Sequence, residues 1–410
     1  MASSTIDELR AFVDAAWRPD ASLLEWRRAL FDAGWAAPSL PRADGGRDLG
    51  AADAEAVAET LAALGVPGPP DGVGLNLAVP VLVAHGDEDL RRSLVRPTVT
   101  GAVVWCQLFS EPGAGSDLAG LTTTARRDGD EWVVDGQKVW NTGAATADLG
   151  LLVARTDWDV PKHRGLSAFV LPMRQPGVEV RPLRQMNGHA SFNEVFLTSA
   201  RIPAAHLLAE EGAGWAVAQT TLMHERRLAA RRRQGERRDP TGRVWREAVA
   251  EATAAAEPHK WYPQRAGRPD LLVERARNAG RAADPLVRQA VAATLARSTV
   301  AGSTSRRAAA ARAAGRPPGP EGSLGKLATS VIARQAAAAH ALVAGAAGLL
   351  AGDDAPDGGV VAEILVSVPA QSIAGGTDEI QHNILGERVL GLPREPSVDR
   401  DLPFREVRRA

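Results

Sequence analysis

The chain has 410 residues, 45% of them hydrophobic, and its 48 basic and 49 acidic side chains leave a formal charge of -1. This length and apolar content predict two or three packed units. The near-cancelled charge argues against a dedicated nucleic-acid or membrane-surface protein, and a lone Cys106 excludes an internal disulfide framework. No Cys/His group has metal-ligand spacing, no run approaches the ~18 apolar residues of a membrane span, and the N-terminus has no basic segment followed by an apolar one. The expectation is therefore a soluble cytoplasmic protein in a reducing compartment, and its Ala, Arg, Gly and Pro content resembles high-GC bacterial coding.

From residue 6 to about 100 the pattern is helical, with Leu9, Phe12, Val13 and Ala16 at i, i+3, i+4 and i+7. Gly34 and Gly65 are the expected stops of two further helices. Between about 103 and 205 the period changes to short extended runs such as EWVVDGQKVWN, LGLLVART and GLSAFVLP, broken by DGD, PG and NG turn signals. A small all-β domain is predicted there. Beyond Gly212 helical periodicity returns near 214–233, 285–314, 323–351 and 377–390. The polar stretch 234–280 interrupts this last block and reads as a surface insertion.

Two segments of the β region carry chemistry. WCQLFSEPGAGSDLAG (105–120) puts a hydroxyl, a carboxylate and two Gly-containing turns after an apolar run, which suits a loop wrapped around a planar, polar-edged ligand. GQKVWNTGA (136–144) offers the aromatic face of Trp140 and the hydrogen-bonding groups of Asn141 and Thr142. Alone, the first is also what a plain turn contains, and Trp140 alone is as well explained by a core. Gly113, Gly115 and Gly120 mimic a dinucleotide fingerprint, but LTTTARRDGDEWVV follows them and reads as strand, where that fingerprint needs a helix.

A third segment, IAGGTDEIQHNILGERVLGLPREP (373–396), joins these two in an order that resembles the acyl-CoA dehydrogenases over nearly the whole chain. FNEVFLTSARIP (192–203) and EGSLGKL (321–327) add to the likeness. The resemblance implies an α+β, mostly helical fold: an N-terminal helical domain (1–103), a middle β domain (104–207) and a C-terminal four-helix bundle (208–410) that carries the insertion near 234–280. It also implies FAD. Gln107, Phe109 and Ser110 would meet the flavin pyrimidine edge, with Trp140, Asn141 and Thr142 over the ring, and Ser116 would sit by the acyl-CoA. Arg281 matches an arginine that reaches the FAD pyrophosphate of a neighbouring subunit, although Asp284-Pro285 replaces the Phe-Gly usual after it. Gly376, Thr377 and Glu379 match a loop at the cofactor's adenosine side.

Removing hydrogens from the α and β carbons of a thioester requires a base for the α proton. Many relatives place a Glu immediately before the Gly-Thr of the third segment, where this chain has Gly375. In a second family pattern the Glu lies on a helix directly before an arginine, which selects Glu225 followed by Arg226, the latter as a substrate-side residue. His224 is a weaker alternative, and Asp378 lies near the missing position. A solvated Glu-Arg pair on a helix surface is the bland reading of the same residues. Seven arginines between 226 and 238 read as a solvated face or as an attractor of phosphate.

The resemblance thus implies α,β-dehydrogenation of an acyl-CoA or acyl-carrier thioester to the 2-enoyl thioester, with reoxidation by an electron-transfer flavoprotein. It suggests a homotetramer built from dimers. The rivals are a flavin monooxygenase or oxidase of the same fold, and a non-catalytic subunit of a heteromeric dehydrogenase.

Overall fold

A computed structural model describes residues 2–225, 237–314, 316, 319, 321–352, 355–396 and 399–407. They fall into two compact units, one from the described parts of 1–183, 190–258 and 398–410, the other from those of 184–189 and 259–397.

In the first unit, α1 (Ala2–Ala16) turns the predicted stripe inward, with Leu9 and Val13 fully buried. Helix α2 (Leu23–Asp32) opens with a capping box: Ser22 accepts from the Glu25 backbone N–H, and the Glu25 carboxylate accepts from the Ser22 N–H at 2.7 Å. Its buried Leu23, Trp26, Leu30 and Phe31 follow the helical period. Gly34 and Gly65, the expected stops, both have left-handed φ just beyond α2 and α3 (Ala51–Ala63). Helices α4 (Val79–His85) and α5 (Glu88–Thr100) complete the N-terminal set.

The β region folds into one sheet of β1 (Trp105–Leu108), β2 (Thr124–Asp128), β3 (Glu131–Thr142), β4 (Leu149–Arg155), β5 (Leu166–Pro172), β6 (Val178–Leu183), β7 (Phe192–Pro203) and β8 (Leu207–Leu208). The strand order is β6-β7-β3-β2-β4-β5-β8, and β1 lies parallel to β4 with Trp105 opposite Leu149. Strands β4 and β5 bury nearly every residue, which explains their continuous rather than alternating apolar sequence. One core cluster joins Leu151, Val153 and Val170 to the N-terminal helices, to Val217 of α6 (Gly214–Glu225) and to Val244. A second joins Cys106, Leu152, Trp132 and Phe169. Cys106 is core, and burial pushes its thiol up to about 12. One face of the sheet therefore shares a core with helices, while the other packs within the β region itself.

Residues 237–258 are held against the N-terminal helices. Helix α7 (Arg243–Ala256) buries Val244, and the Trp17 indole N–H donates to Asp239 at 2.8 Å. Arg27, almost wholly buried, makes a two-pronged pair with Glu251 at 2.7 Å on each prong. The polar composition of this stretch is that of an exposed helix face with a few buried anchors.

The second unit contains α8 (Tyr262–Arg265), α9 (Leu272–Asn278), α10 (Pro285–Ala313), α11 (Glu321–Ala344), α12 (Val360–Ser367), α13 (Pro369–Ile373) and α14 (Asp378–Arg388). Helix α11 lies at its centre and packs against α9, α10, α12, α13 and α14. Its buried Ala333, Ala336, Ala337 and Ala339 leave room for Leu272, Ile364 and Val368 from the surrounding helices. The stretches Glu321–Leu349 and Pro356–Arg388 are long and apolar enough to cross a membrane by length and composition. Lys326 and Arg334 on α11 both pair with Asp378, a charged network suited to a protein core or its margin.

Glu251→Ala is expected to destabilise the first unit by about 2 kcal/mol, because it leaves the buried Arg27 guanidinium short of its partner. Calorimetric melting checks this, and a midpoint that moves by less than about 1 °C would contradict it.

Candidate functional site

Strand β1 carries Gln107 into a loop that Glu111 and Lys138 hold from beneath. Lys138 is fully buried on β3, and its ammonium donates to Glu111 at 2.9 Å and to the Phe109 carbonyl at 3.0 Å. The Glu111 carboxylate also accepts from the backbone N–H groups of Thr122 at 2.7 Å and Thr123 at 2.9 Å, and from the Thr122 hydroxyl at 3.0 Å. Burial by itself raises the Glu111 carboxyl, but the Lys138 ammonium and these donors outweigh it and hold the group at about 2. Burial pulls the Lys138 ammonium below its ordinary value, and Glu111 opposes that. The carboxylate read from sequence as part of the ligand-wrapping loop is thus turned inward. It fixes both ends of the loop.

The residues after Lys138 lead into the bulge that carries Trp140. The Val139 N–H donates to the Ser110 carbonyl at 2.9 Å, and β3 slips its register against β7 between Lys138 and Asn141. Within that bulge Trp140 has φ of 65° and is 57% exposed, with its ring edge-on to Phe192 at 5.7 Å. A left-handed backbone at a bulky aromatic costs about 1–3 kcal/mol and persists only where the surroundings impose it. Asn141, buried beside it, donates to the Gln107 carbonyl at 2.7 Å, while its own Oδ1 has no partner. Gln107, Ser110 and Thr142 are half-buried, Phe109 is buried, and Ser116 is exposed. An open aromatic face, an orphaned buried carbonyl oxygen and a polar rim lie together on β1, β3 and their loop. They fit a planar ring that has hydrogen-bonding edges.

Helix α6 buries Val217, Ala218 and Thr221. Glu225 follows Thr221 by four residues and so continues this inward stripe, while His224 follows Val217 by seven and flanks it. Both are half-buried. Among the described residues Glu225 is the last of α6; Arg226 and the arginines up to 233 lie outside them. Nearby, the His85 imidazole meets the Thr220 hydroxyl at 2.8 Å, and burial lowers its pKa.

In the second unit, Gly375 and Gly376 have φ of 69° and 85°. A Cβ added at Gly375 would meet nothing within 4 Å, so the position usual for a base holds open space and no carboxylate. Thr377 caps α14 by accepting from the Ile380 N–H at 3.3 Å, and Glu379 is exposed. Asp378, noted from sequence only for its nearness to the missing base, is a buried ion-pair centre. It binds Lys326 at 3.2 Å and Arg334 at 2.7 Å, and these partners overcome burial to hold its carboxyl at about 2. Lys326 also donates to the Gln371 carbonyl at 2.7 Å, which ties EGSLGKL to the segment before the glycines. Arg281 pairs with Asp284 at 2.6 Å and donates to the Leu342 carbonyl, so its guanidinium is engaged within its own unit.

Three family models match: the acyl-CoA dehydrogenase N-terminal domain over residues 3–102, its middle domain over 106–200 and its C-terminal domain over 270–390. The chain is 36% identical to the acyl-CoA dehydrogenase FadE34 of Mycobacterium tuberculosis over 94% of its own length, but spans only 49% of that protein. It is 34% identical to the acyl-CoA dehydrogenase IpdE1 of the same organism, covering 90% of this chain and 88% of the relative. Among solved structures it is similar to the ChsE4-ChsE5 complex of Mycobacterium tuberculosis, with a TM-score of 0.64 and 27% identity over 96% of this chain and 98% of the other.

Removing one partner of the Glu111–Lys138 pair should be costly. Glu111→Gln is expected to destabilise the first unit by about 3 kcal/mol at pH 7, since a buried ammonium loses its counter-charge. Glu111 is held at about 2 against an ordinary 4.5, so its stabilisation is complete above about pH 4.5 and disappears as the pH falls towards 2. Thermal midpoints measured between pH 6 and pH 3 should fall more steeply for the native chain than for the variant. Parallel curves would refute the assignment.

Proposed function

Because the chain belongs to the acyl-CoA dehydrogenase family, we propose that it is an FAD-dependent oxidoreductase that removes the α and β hydrogens of an acyl thioester to give the 2-enoyl thioester. The observation that carries this reading is the exposed, left-handed Trp140 beside the orphaned Oδ1 of Asn141. In this reading Trp140 covers the flavin ring, and Asn141 and Thr142 hydrogen-bond its edge. Gln107, Phe109 and Ser110 form the pyrimidine side, and Gly376, Thr377 and Glu379 the adenosine side. When bound, FAD supplies the acceptor for the β hydride. Arg281 must leave Asp284 to reach a pyrophosphate in a neighbouring subunit.

Glu225 takes the α proton in this mechanism, from its place at the end of the inward stripe of α6. A carboxyl near ~4.3 is a weak base, so bound substrate must exclude water and raise it. Ser116 is assigned to the substrate side, and Arg226, assigned with it, is outside the described residues. The substrate is an acyl-CoA or acyl-carrier thioester, an electron-transfer flavoprotein takes the electrons, and the working form is a cytoplasmic homo-oligomer.

A second reading is favoured by Gly375, where no carboxylate stands, and by the likeness to the ChsE4-ChsE5 complex. In it the chain is the non-catalytic subunit of a heteromeric dehydrogenase. The visible spectrum of the chain purified alone separates the two. Dehydrogenation predicts a yellow protein whose flavin bleaches on anaerobic mixing with acyl-CoA, and Glu225→Gln should slow that bleaching by about 100-fold or more. A folded, colourless chain that gains flavin only with a partner would establish the second reading instead.

A further inference from the structure

Residues 119–123, the far end of the loop that begins at Phe109, are gripped by two buried charges of opposite sign. The Thr122 and Thr123 amides donate to Glu111. The carbonyls of the same stretch go to Arg155, a fully buried residue of β4. Its guanidinium donates to Ala119 at 2.6 Å, to Leu121 at 3.1 Å and to Lys162 at 3.1 Å, and its backbone N–H donates to Thr123 at 2.7 Å. Ala119 and Leu121 end the one-turn helix Leu118–Gly120, and a helix cannot satisfy its own last carbonyls. Arg155 is their cap.

These bonds use the edge of the guanidinium plane, where its N–H groups point, and aromatic rings take the face. The Phe404 ring centroid lies 3.5 Å from Arg155 Cζ and that of Trp158 5.5 Å, with the two rings 5.4 Å apart. Phe404 is buried and belongs to the last described residues, which return to this unit. Its N–H donates to the Val160 carbonyl at 3.0 Å, the Arg405 N–H donates to the Trp158 carbonyl at 3.1 Å, and the Arg405 guanidinium pairs with Asp159. Lys162 adds a second link between tail and loop, through Asp399 at 3.7 Å and Asp117 at 2.9 Å.

We propose that Phe404 is a positioning residue for the flavin: seated on the face of Arg155, it keeps water from the Ala119 and Leu121 carbonyls and holds the loop that carries Phe109 and Ser110. The proposal rests on the flavin reading for the identity of what the loop meets. A hydrogen bond in a dry site is stronger than one that water can contest, and a ring over a desolvated guanidinium excludes water while attracting the charge. Without the ring, water hydrates the guanidinium and competes with the carbonyls. Docking of the tail and binding of the flavin are therefore coupled.

Amide hydrogen exchange of the full chain reads this coupling independently of activity. Phe404→Ala is expected to speed exchange across 119–123 by about tenfold or more, with α1 and α2 of the same unit unchanged, and Phe404→Tyr to keep the native rate. FAD binding should weaken by about tenfold in the Ala variant and stay native-like in the Tyr variant. Coupling is reciprocal, so FAD added to the native chain should slow exchange at the Phe404 and Arg405 amides. That measurement needs no variant and decides the matter if the Ala protein does not fold. Unchanged exchange at 119–123, acceleration spread evenly over α1 and α2, or tail amides indifferent to bound FAD would overturn the proposal. A loosened loop with equal FAD affinity would overturn the link to the flavin. If the loop loosens as expected but the chain takes up no flavin, alone or with a partner, the hold of the tail on the loop stands and the flavin reading fails.

Discussion

The buried pair of Glu111 and Lys138 is the contact on which the candidate site depends. One ammonium reaches a carboxylate and the Phe109 carbonyl, while that carboxylate gathers the backbone of Thr122 and Thr123. The loop from 109 to 123 is thereby fixed at both ends to the middle of β3. Two residues further along the same strand, Trp140 is exposed in a left-handed bulge. An apolar contact of similar size could fill the space under the loop, but it could not satisfy the two amides or orient the carbonyl. The desolvation of both charges is offset by this set of directed bonds, and what results is a stiff cradle.

The sheet that carries the cradle is covered on both faces. Helices α1, α2, α6 and α7 contribute to one of its cores, so Glu225 and the Trp140 loop are mounted on the same unit. That arrangement has a physical source in β4 and β5, whose side chains are apolar on both sides and need cover on each. The return of the C-terminal tail to the same unit adds a strap to it. Its anchor Phe404 lies under Arg155, whose guanidinium also donates to the Ala119 and Leu121 carbonyls of the cradle loop, and Arg405 pairs with Asp159.

Much of this was legible from the residues. Helix stops at Gly34 and Gly65, the succession of strands from 105 to 203, and the starts of α10 and α14 follow from periodicity and turn chemistry, which are local. The segment 234–280 was less legible. Its Arg, Pro and Asp content describes the exposed face of α7, whereas the buried Val244, Trp261 and Leu272 are too far apart in the chain to form one periodic signal. The ion-pair role of Asp378 was not legible for a related reason: its partners Lys326 and Arg334 are 52 and 44 positions away in the chain. A lysine flanked by buried Val139 in a strand was the one available hint of the Glu111 pair.

The sequence by itself determined which chemistry is present: the hydroxyls, amides and tryptophan of 105–144 that are proposed to meet a flavin, Gly375 where the family's carboxylate is usual, and Glu225 before an arginine. It did so because side-chain type and spacing are properties of the chain alone. Only the tertiary structure decided which of these groups face outward. Glu111 turned from a ligand-wrapping carboxylate into a buried anchor, Arg281 took Asp284 as its partner, and Arg155 and Phe404 came together from positions more than 200 residues apart. Burial and long-range pairing are set by where the chain returns to itself, and no local pattern encodes that return.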